Sequence, residues 1–152
     1  MAHAYSCAKT MKTSDEEVGD TVLTKGHMEV AKPNVYEYII DEDVVLQPNQ
    51  QVTLATGYRS VIEQGTWTAI VPHEDVKNTI ILANQIGVVD YDYQYAANHG
   101  LCFVGIVNLK DEVVTLPKGT KLAQWYTEKY YVLENEIKTD QERTGGVGHT
   151  SK

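Results

Sequence analysis

From Val44 onward the chain is a succession of short runs rich in Val, Ile, Leu, Thr and Tyr, closed off by turn formers at Pro48-Asn49, Gln64-Gly65, Asn98-His99-Gly100 and Pro117-Lys118-Gly119. β-branched and aromatic side chains suit a pleated, half-buried surface, while Gly, Pro and Asn supply the backbone angles that reverse a chain. This rhythm predicts strands at 44–46, 51–56, 58–62, 66–71, 79–83, 101–109, 113–116, 121–126 and 130–133. The one segment of helical character in this half, 74–78, is too short and too polar to offer a hydrophobic face. An all-β fold with one very short helix is expected.

At 152 residues, 42% of them hydrophobic and 22% charged, the chain has the size and composition of one soluble domain that needs no staple. No apolar run is long enough to cross a bilayer as a helix, and no leader pattern opens the chain, so a cytoplasmic protein with no membrane partner is expected. Its two cysteines differ in setting, Cys7 near a polar end and Cys102 within an apolar run, which argues against a structural disulfide. Five scattered histidines and no Cys-x-x-Cys pair exclude a zinc site of known spacing, leaving a hard cation that arrives with a phosphate ligand. A net charge of −8 opposes extended contact with nucleic acid, whose affinity is built from Lys and Arg on phosphates. A free nucleotide is compatible with it, because backbone N–H groups and one or two cations can hold a phosphate locally.

The ends read differently from the middle. Residues 1–30 form an extension of unclear role, in which Ser14-Asp-Glu-Glu17 fits either a helix cap or a solvated acidic patch. Residues 31–138 hold the β domain. Residues 139–152 include Gln141-Glu-Arg-Thr-Gly-Gly-Val-Gly-His-Thr150, which is too poor in apolar groups to dock as a strand. That segment is expected to be flexible, and it fits a disordered tail or a lid whose glycine N–H groups and arginine close on phosphates.

Four elements in order carry a resemblance: Asn84, then Gly87-Val-Val-Asp-Tyr-Asp-Tyr93, then Gly119-Thr-Lys-Leu-Ala-Gln124, then Arg143-Thr-Gly-Gly-Val-Gly-His-Thr150. They are similar to the trimeric dUTPase family, in which an Asn precedes Gly-Val-Ile-Asp-x-Asp-Tyr, followed by Gly-Asp-Arg-Ile-Ala-Gln and a final arginine with Gly-Gly-Phe-Gly-Ser-Thr. Val44-Val-Leu-Gln-Pro48 and Thr56-Gly57 are further landmarks, and the likeness runs from about Asn34 to the C-terminus. It implies a dUTPase-like β-barrel or jelly roll, of the β-clip kind, with a flexible glycine-rich lid. It also implies a homotrimer, a dUTP ligand and Mg²⁺.

The resemblance also distributes roles. Asp90 matches the carboxylate that orients and deprotonates the attacking water, a task for a fixed acceptor because water is a poor nucleophile at neutral pH. Asn84, with the backbone near Gly87, matches the group that reads the pyrimidine edge. Tyr93 matches the ring under the sugar that leaves no room for a 2′-hydroxyl. Gln124, Arg143, Gly145, Gly146 and His149 match phosphate contacts. Strict alternation would place Gln124 on the same strand face as Leu122, with Lys121 and Ala123 on the other.

Three motifs depart from the family. Asn34-Val-Tyr-Glu-Tyr38 stands for Ala-Gly-Tyr-Asp-Leu, putting Glu37 where an Asp helps hold hydrated Mg²⁺. Pro72-His73-Glu74 stands for Pro-Arg-Ser, so His73 takes a phosphate-binding arginine's place and Glu74 sets an anion at a helix start that phosphate would use. Val147 replaces the lid phenylalanine. Two readings follow: a pyrophosphohydrolase that converts dUTP to dUMP, and a dUTPase-derived protein that captures a nucleotide or acts through a protein partner without turnover.

Overall fold

The computed structural model describes residues 25–135 in full and, outside them, the backbone of two strands, β1 (Ser6–Lys9) and β2 (Thr21–Leu23). The strands that follow are β3 (Gly26–Lys32), β4 (Val35–Ile40), β5 (Val44–Leu46), β6 (Gln51–Val61), β7 (Thr66–Pro72), β8 (Ile80–Leu82), β9 (Gly87–Asp90), β10 (Leu101–Asn108), β11 (Val114–Leu116) and β12 (Lys121–Lys129). Among the described residues two 3-10 turns interrupt them, the expected one at Glu74–Val76 and a second at Tyr91–Tyr95.

One sheet runs β1-β6-β10-β8, with β2 parallel to β6; the other runs β3-β4-β12-β7-β9; β5 and β11 form a small ribbon. Tyr38, Ile40, Ile70, Leu122 and Trp125 of the second sheet share one buried cluster with Leu54, Leu82, Val104 and Ile106 of the first. Two sheets facing across a common core make the fold all-β and jelly-roll-like, as expected.

Three details differ from the strand pattern read from sequence. The runs 51–56 and 58–62 are one strand, because Gly57 adopts φ +76° and β6 continues past it. The bulge this creates is visible in the pairing, where Leu101 faces Arg59 but Phe103 faces Ala55. The strand expected at 130–133 does not form: β12 ends at Lys129, opposite Thr66 where β7 begins, and after one further backbone bond, Tyr130 N–H to Gly65 O at 3.1 Å, the chain runs exposed. β1 to β4 and β9 are additions to the expected strands, and β1, β2 and the start of β3 lie inside the stretch set aside as an extension.

Candidate active site

In antiparallel pairs, residues in direct register project to the same face, so the register locates side chains. In the second sheet Glu29 lies opposite Glu37, Glu37 opposite Gln124, and Gln124 opposite Val71. Further along, Glu128 lies opposite Trp67 and Trp67 opposite Asp90. Asp90, Gln124 and Glu37 therefore share the face turned away from the buried Trp125, Ile70 and Val89.

Asp90 ends β9 and is exposed, which suits a group that must meet a ligand. Its position is fixed by Gly87 at the other end of the strand. A Cβ on Gly87 would lie 3.0 Å from Cβ of Ile70, so the absent side chain is what lets β9 approach β7 so closely. Asn84 is exposed in the turn where the chain leaves β8 in one sheet and enters β9 in the other. That turn is closed by Gln85 N–H donating to Leu82 O at 3.0 Å and Ile86 N–H to Asn84 O at 2.7 Å, with Gln85 at φ +65°. Tyr93 is buried; its hydroxyl donates to Leu101 O and accepts from Asn98 Nδ2 at 2.9 Å.

The other end of the face is built around Glu37, which is only 9% exposed. Nε2 of His73 stands 3.2 Å from Oε1, and Nζ of Lys121 3.0 Å from Oε2. Nδ1 of His73 accepts the N–H of Asp75 at 3.0 Å, capping the 3-10 turn, so the ring proton sits on Nε2 and donates to Glu37. Burial pushes the Glu37 carboxyl up, but hydrogen bonds from Lys121 and His73 together outweigh it and hold the group below its ordinary value. The hydrogen bond to Glu37, with its negative charge, in turn raises the Lys121 ammonium above its usual range.

Lys121 is the residue that strict alternation misplaces. The register against β4 shifts between Lys121, opposite Ile39, and Ala123, opposite Tyr38. This bulge leaves Leu122 and Ala123 both buried, returns Gln124 to the outer face beside Tyr126, whose hydroxyl donates to it at 2.8 Å, and turns Lys121 onto that same face. The expected pairing of Leu122 with Gln124 on one face is thus corrected. The signal in the sequence was the consecutive apolar pair Leu122-Ala123, which a half-buried strand does not need unless alternation breaks.

Glu74 is paired with a cation within its own turn. Its side chain is 79% exposed and its Oε1 lies 3.0 Å from Nζ of Lys77, which holds the carboxyl below its ordinary range. As for Mg²⁺, no group of three or more His, Cys, Asp or Glu side chains able to hold an ion occurs among the described residues. Both oxygens of Glu37 are already committed to protein donors. The donor set does not fit an ion bound by the protein itself. Arg143, Gly145, Gly146 and His149 lie outside the described residues.

The dUTPase family model matches residues 30–151. The chain belongs to the dUTPase family. Among curated relatives, the deoxyuridine 5′-triphosphate nucleotidohydrolase of Haemophilus ducreyi is 31% identical over 121 residues, covering 75% of this chain and 76% of that protein. That of Finegoldia magna is 30% identical over 116 residues, covering 72% and 78%. Among solved structures, a dUTPase from Streptococcus mutans superposes on this dUTPase-family chain with a TM-score of 0.62 at 19% identity, covering 87% of this chain and 99% of the other. A point mutant of the dUTPase from phage phi11 of S. aureus, whose structure describes the coordination of a structural Mg(II) ion, superposes at 0.61 with 14% identity, covering 90% and 97%. Among the described residues no helix is long and apolar enough to cross a membrane.

Proposed function

We propose that this dUTPase-family chain hydrolyses dUTP to dUMP and pyrophosphate, with Asp90 as the base that orients and deprotonates the water attacking the α-phosphorus in line with the departing pyrophosphate. The observation that carries the reading is the exposed Asp90 at the end of β9, held by the close packing of Gly87 on Ile70. Asn84 reads the pyrimidine edge and the ring of Tyr93 sits under the deoxyribose. Gln124, Arg143, Gly145, Gly146 and His149 serve the phosphates, while His73, engaged by Asp75 and Glu37, is left without a free donor for them. Mg²⁺ enters as the triphosphate's own counter-ion, where it would neutralise phosphate charge.

The site is completed between subunits of a homotrimer. From register, Asp90 is two strands and four residues from Gln124, roughly 17 Å at ordinary strand spacings, too far for both to touch one phosphoryl group. Val88 at 58% exposure lies two residues before Asp90 on the same strand face, with Ile86 at 45% just before the strand, as an apolar rim awaiting a neighbouring chain would. Hydrolysis is favoured over capture because Glu74, the strongest adverse residue, is neutralised by Lys77.

The test is pyrophosphate release from each deoxynucleoside triphosphate with Mg²⁺, beside binding of the same nucleotides. Turnover selective for dUTP, reduced by about 10²–10⁴ in Asp90→Asn at unchanged thermal stability, is expected. Tight binding of dUTP by the wild-type protein without release would return the reading to capture.

A further inference from the structure

We propose that Lys121 is the cation that receives the β- and γ-phosphates of the nucleotide in this chain, with Glu37 as the residue that positions it. The inference rests on the dUTP reading above and adds a residue to it. The bulge between Lys121 and Ala123 brings Lys121 to the face that carries Gln124. Glu37, the direct cross-strand partner of Gln124, holds Nζ at 3.0 Å. An ammonium has three N–H donors, so one bond to Glu37 leaves two for phosphate oxygens. The Lys121 side chain is 42% exposed, so those donors reach solvent while the carboxylate that anchors them is buried.

His73 cannot take this part in the geometry observed. Its Nδ1 accepts from Asp75 N–H and its Nε2 hydrogen is given to Glu37, leaving no donor. Lys77, another cation near the 3-10 turn, is engaged by Glu74. The ring of His73 instead braces Glu37 from the side opposite Lys121, so that two neighbours fix the carboxylate on which the ammonium rests. The family's arginine is thus lost at position 73, while position 121 keeps a cation, Lys121 standing for the arginine of Gly-Asp-Arg-Ile-Ala-Gln.

The experiment measures binding of α,β-imido-dUTP and of dUMP by calorimetry to the wild-type protein and to Lys121→Met, Lys121→Arg and Glu37→Gln, alongside wild-type turnover of dUTP. Methionine keeps the length of the stem and removes the charge. Lys121→Met should weaken the triphosphate analogue by about 10- to 100-fold while dUMP stays within about twofold. Lys121→Arg should restore most of the affinity, and Glu37→Gln should weaken the analogue alone by a smaller factor. Lys121→Met binding both ligands like wild type, or losing both equally, overturns the proposal while wild-type turnover leaves the dUTP reading standing. Wild-type protein that neither binds nor turns over dUTP overturns both.

Discussion

The carboxylate of Glu37 accepts a hydrogen bond from Nε2 of His73 at 3.2 Å, tying the middle of β4 to the residue that caps the Glu74–Val76 turn. With Lys121 on its other oxygen, Glu37 is a buried charge with two partners. Its folded-state pKa is depressed below the ordinary 4.5, so its stabilising contribution is present above that value and is lost as pH falls through the folded pKa. Glu37→Gln should therefore cost about 1–3 kcal/mol at pH 7 and narrow the gap to wild type in acid. Urea denaturation at pH 7 and at pH 3 checks this; a gap that widens in acid would count against the pairing.

His27 offers the opposite sign. Its Nε2 lies 3.0 Å from Glu29 and its Nδ1 2.8 Å from Asp41, and hydrogen bonds to these two carboxylates, Glu29 first, raise its pKa above 6.5. The stabilisation is fully present below 6.5 and is lost as pH rises through the raised folded value. The side chain is 40% exposed, so solvent screening keeps the effect below about 1 kcal/mol. The stability difference between wild type and His27→Asn should shrink from pH 6 toward pH 9, and an NMR titration of the imidazole should show the raised midpoint directly.

Gly87→Ala should be destabilising although alanine is the better strand residue. The added Cβ meets the Cβ of Ile70 at 3.0 Å, and that atom is fixed by the backbone of a buried strand. A loss of about 1–3 kcal/mol is expected, with a proportionally larger loss of dUTP turnover because β9 must shift and carries Asp90 with it. Thermal melts beside kinetic assays separate the two effects. Unchanged stability and turnover would mean that β9 has room the register does not suggest.

Tyr93→Phe removes a buried hydroxyl that joins Leu101 O and Asn98 Nδ2. About 1–3 kcal/mol of stability should be lost through those two polar groups. The ring is kept, so preference for dUTP over UTP should persist. A variant of wild-type stability that accepts both nucleotides would reverse that division of labour.

The strands at 44–46 and near 66–71 and 101–109 were legible because each alternates or runs apolar between unmistakable turn formers. β4 was not, since it lies between β3 and β12 with Val35 and Tyr38–Ile40 buried, and the charged Glu37 among them breaks any simple pattern. β3 was missed for the contrary reason, as four of its seven residues are exposed and Pro33-Asn34 follows at once. The motif around Asp90 was legible as a resemblance because its residues are contiguous. The surroundings of Glu37 were not, because His73 and Lys121 reach it from positions 36 and 84 residues away along the chain.

By itself the sequence determined the all-β architecture, its turns and the family, because turn chemistry, strand periodicity and contiguous motifs are local properties of the chain. Only the tertiary structure decided which side chains meet. A bulge changes the face of every residue before it relative to those after it, so the placement of Lys121 beside Glu37 and Gln124 depends on how β12 pairs with β4, which no local pattern encodes. The charge of Glu74, by contrast, is met by Lys77 three residues along the same turn, a local pairing that needs no long-range contact.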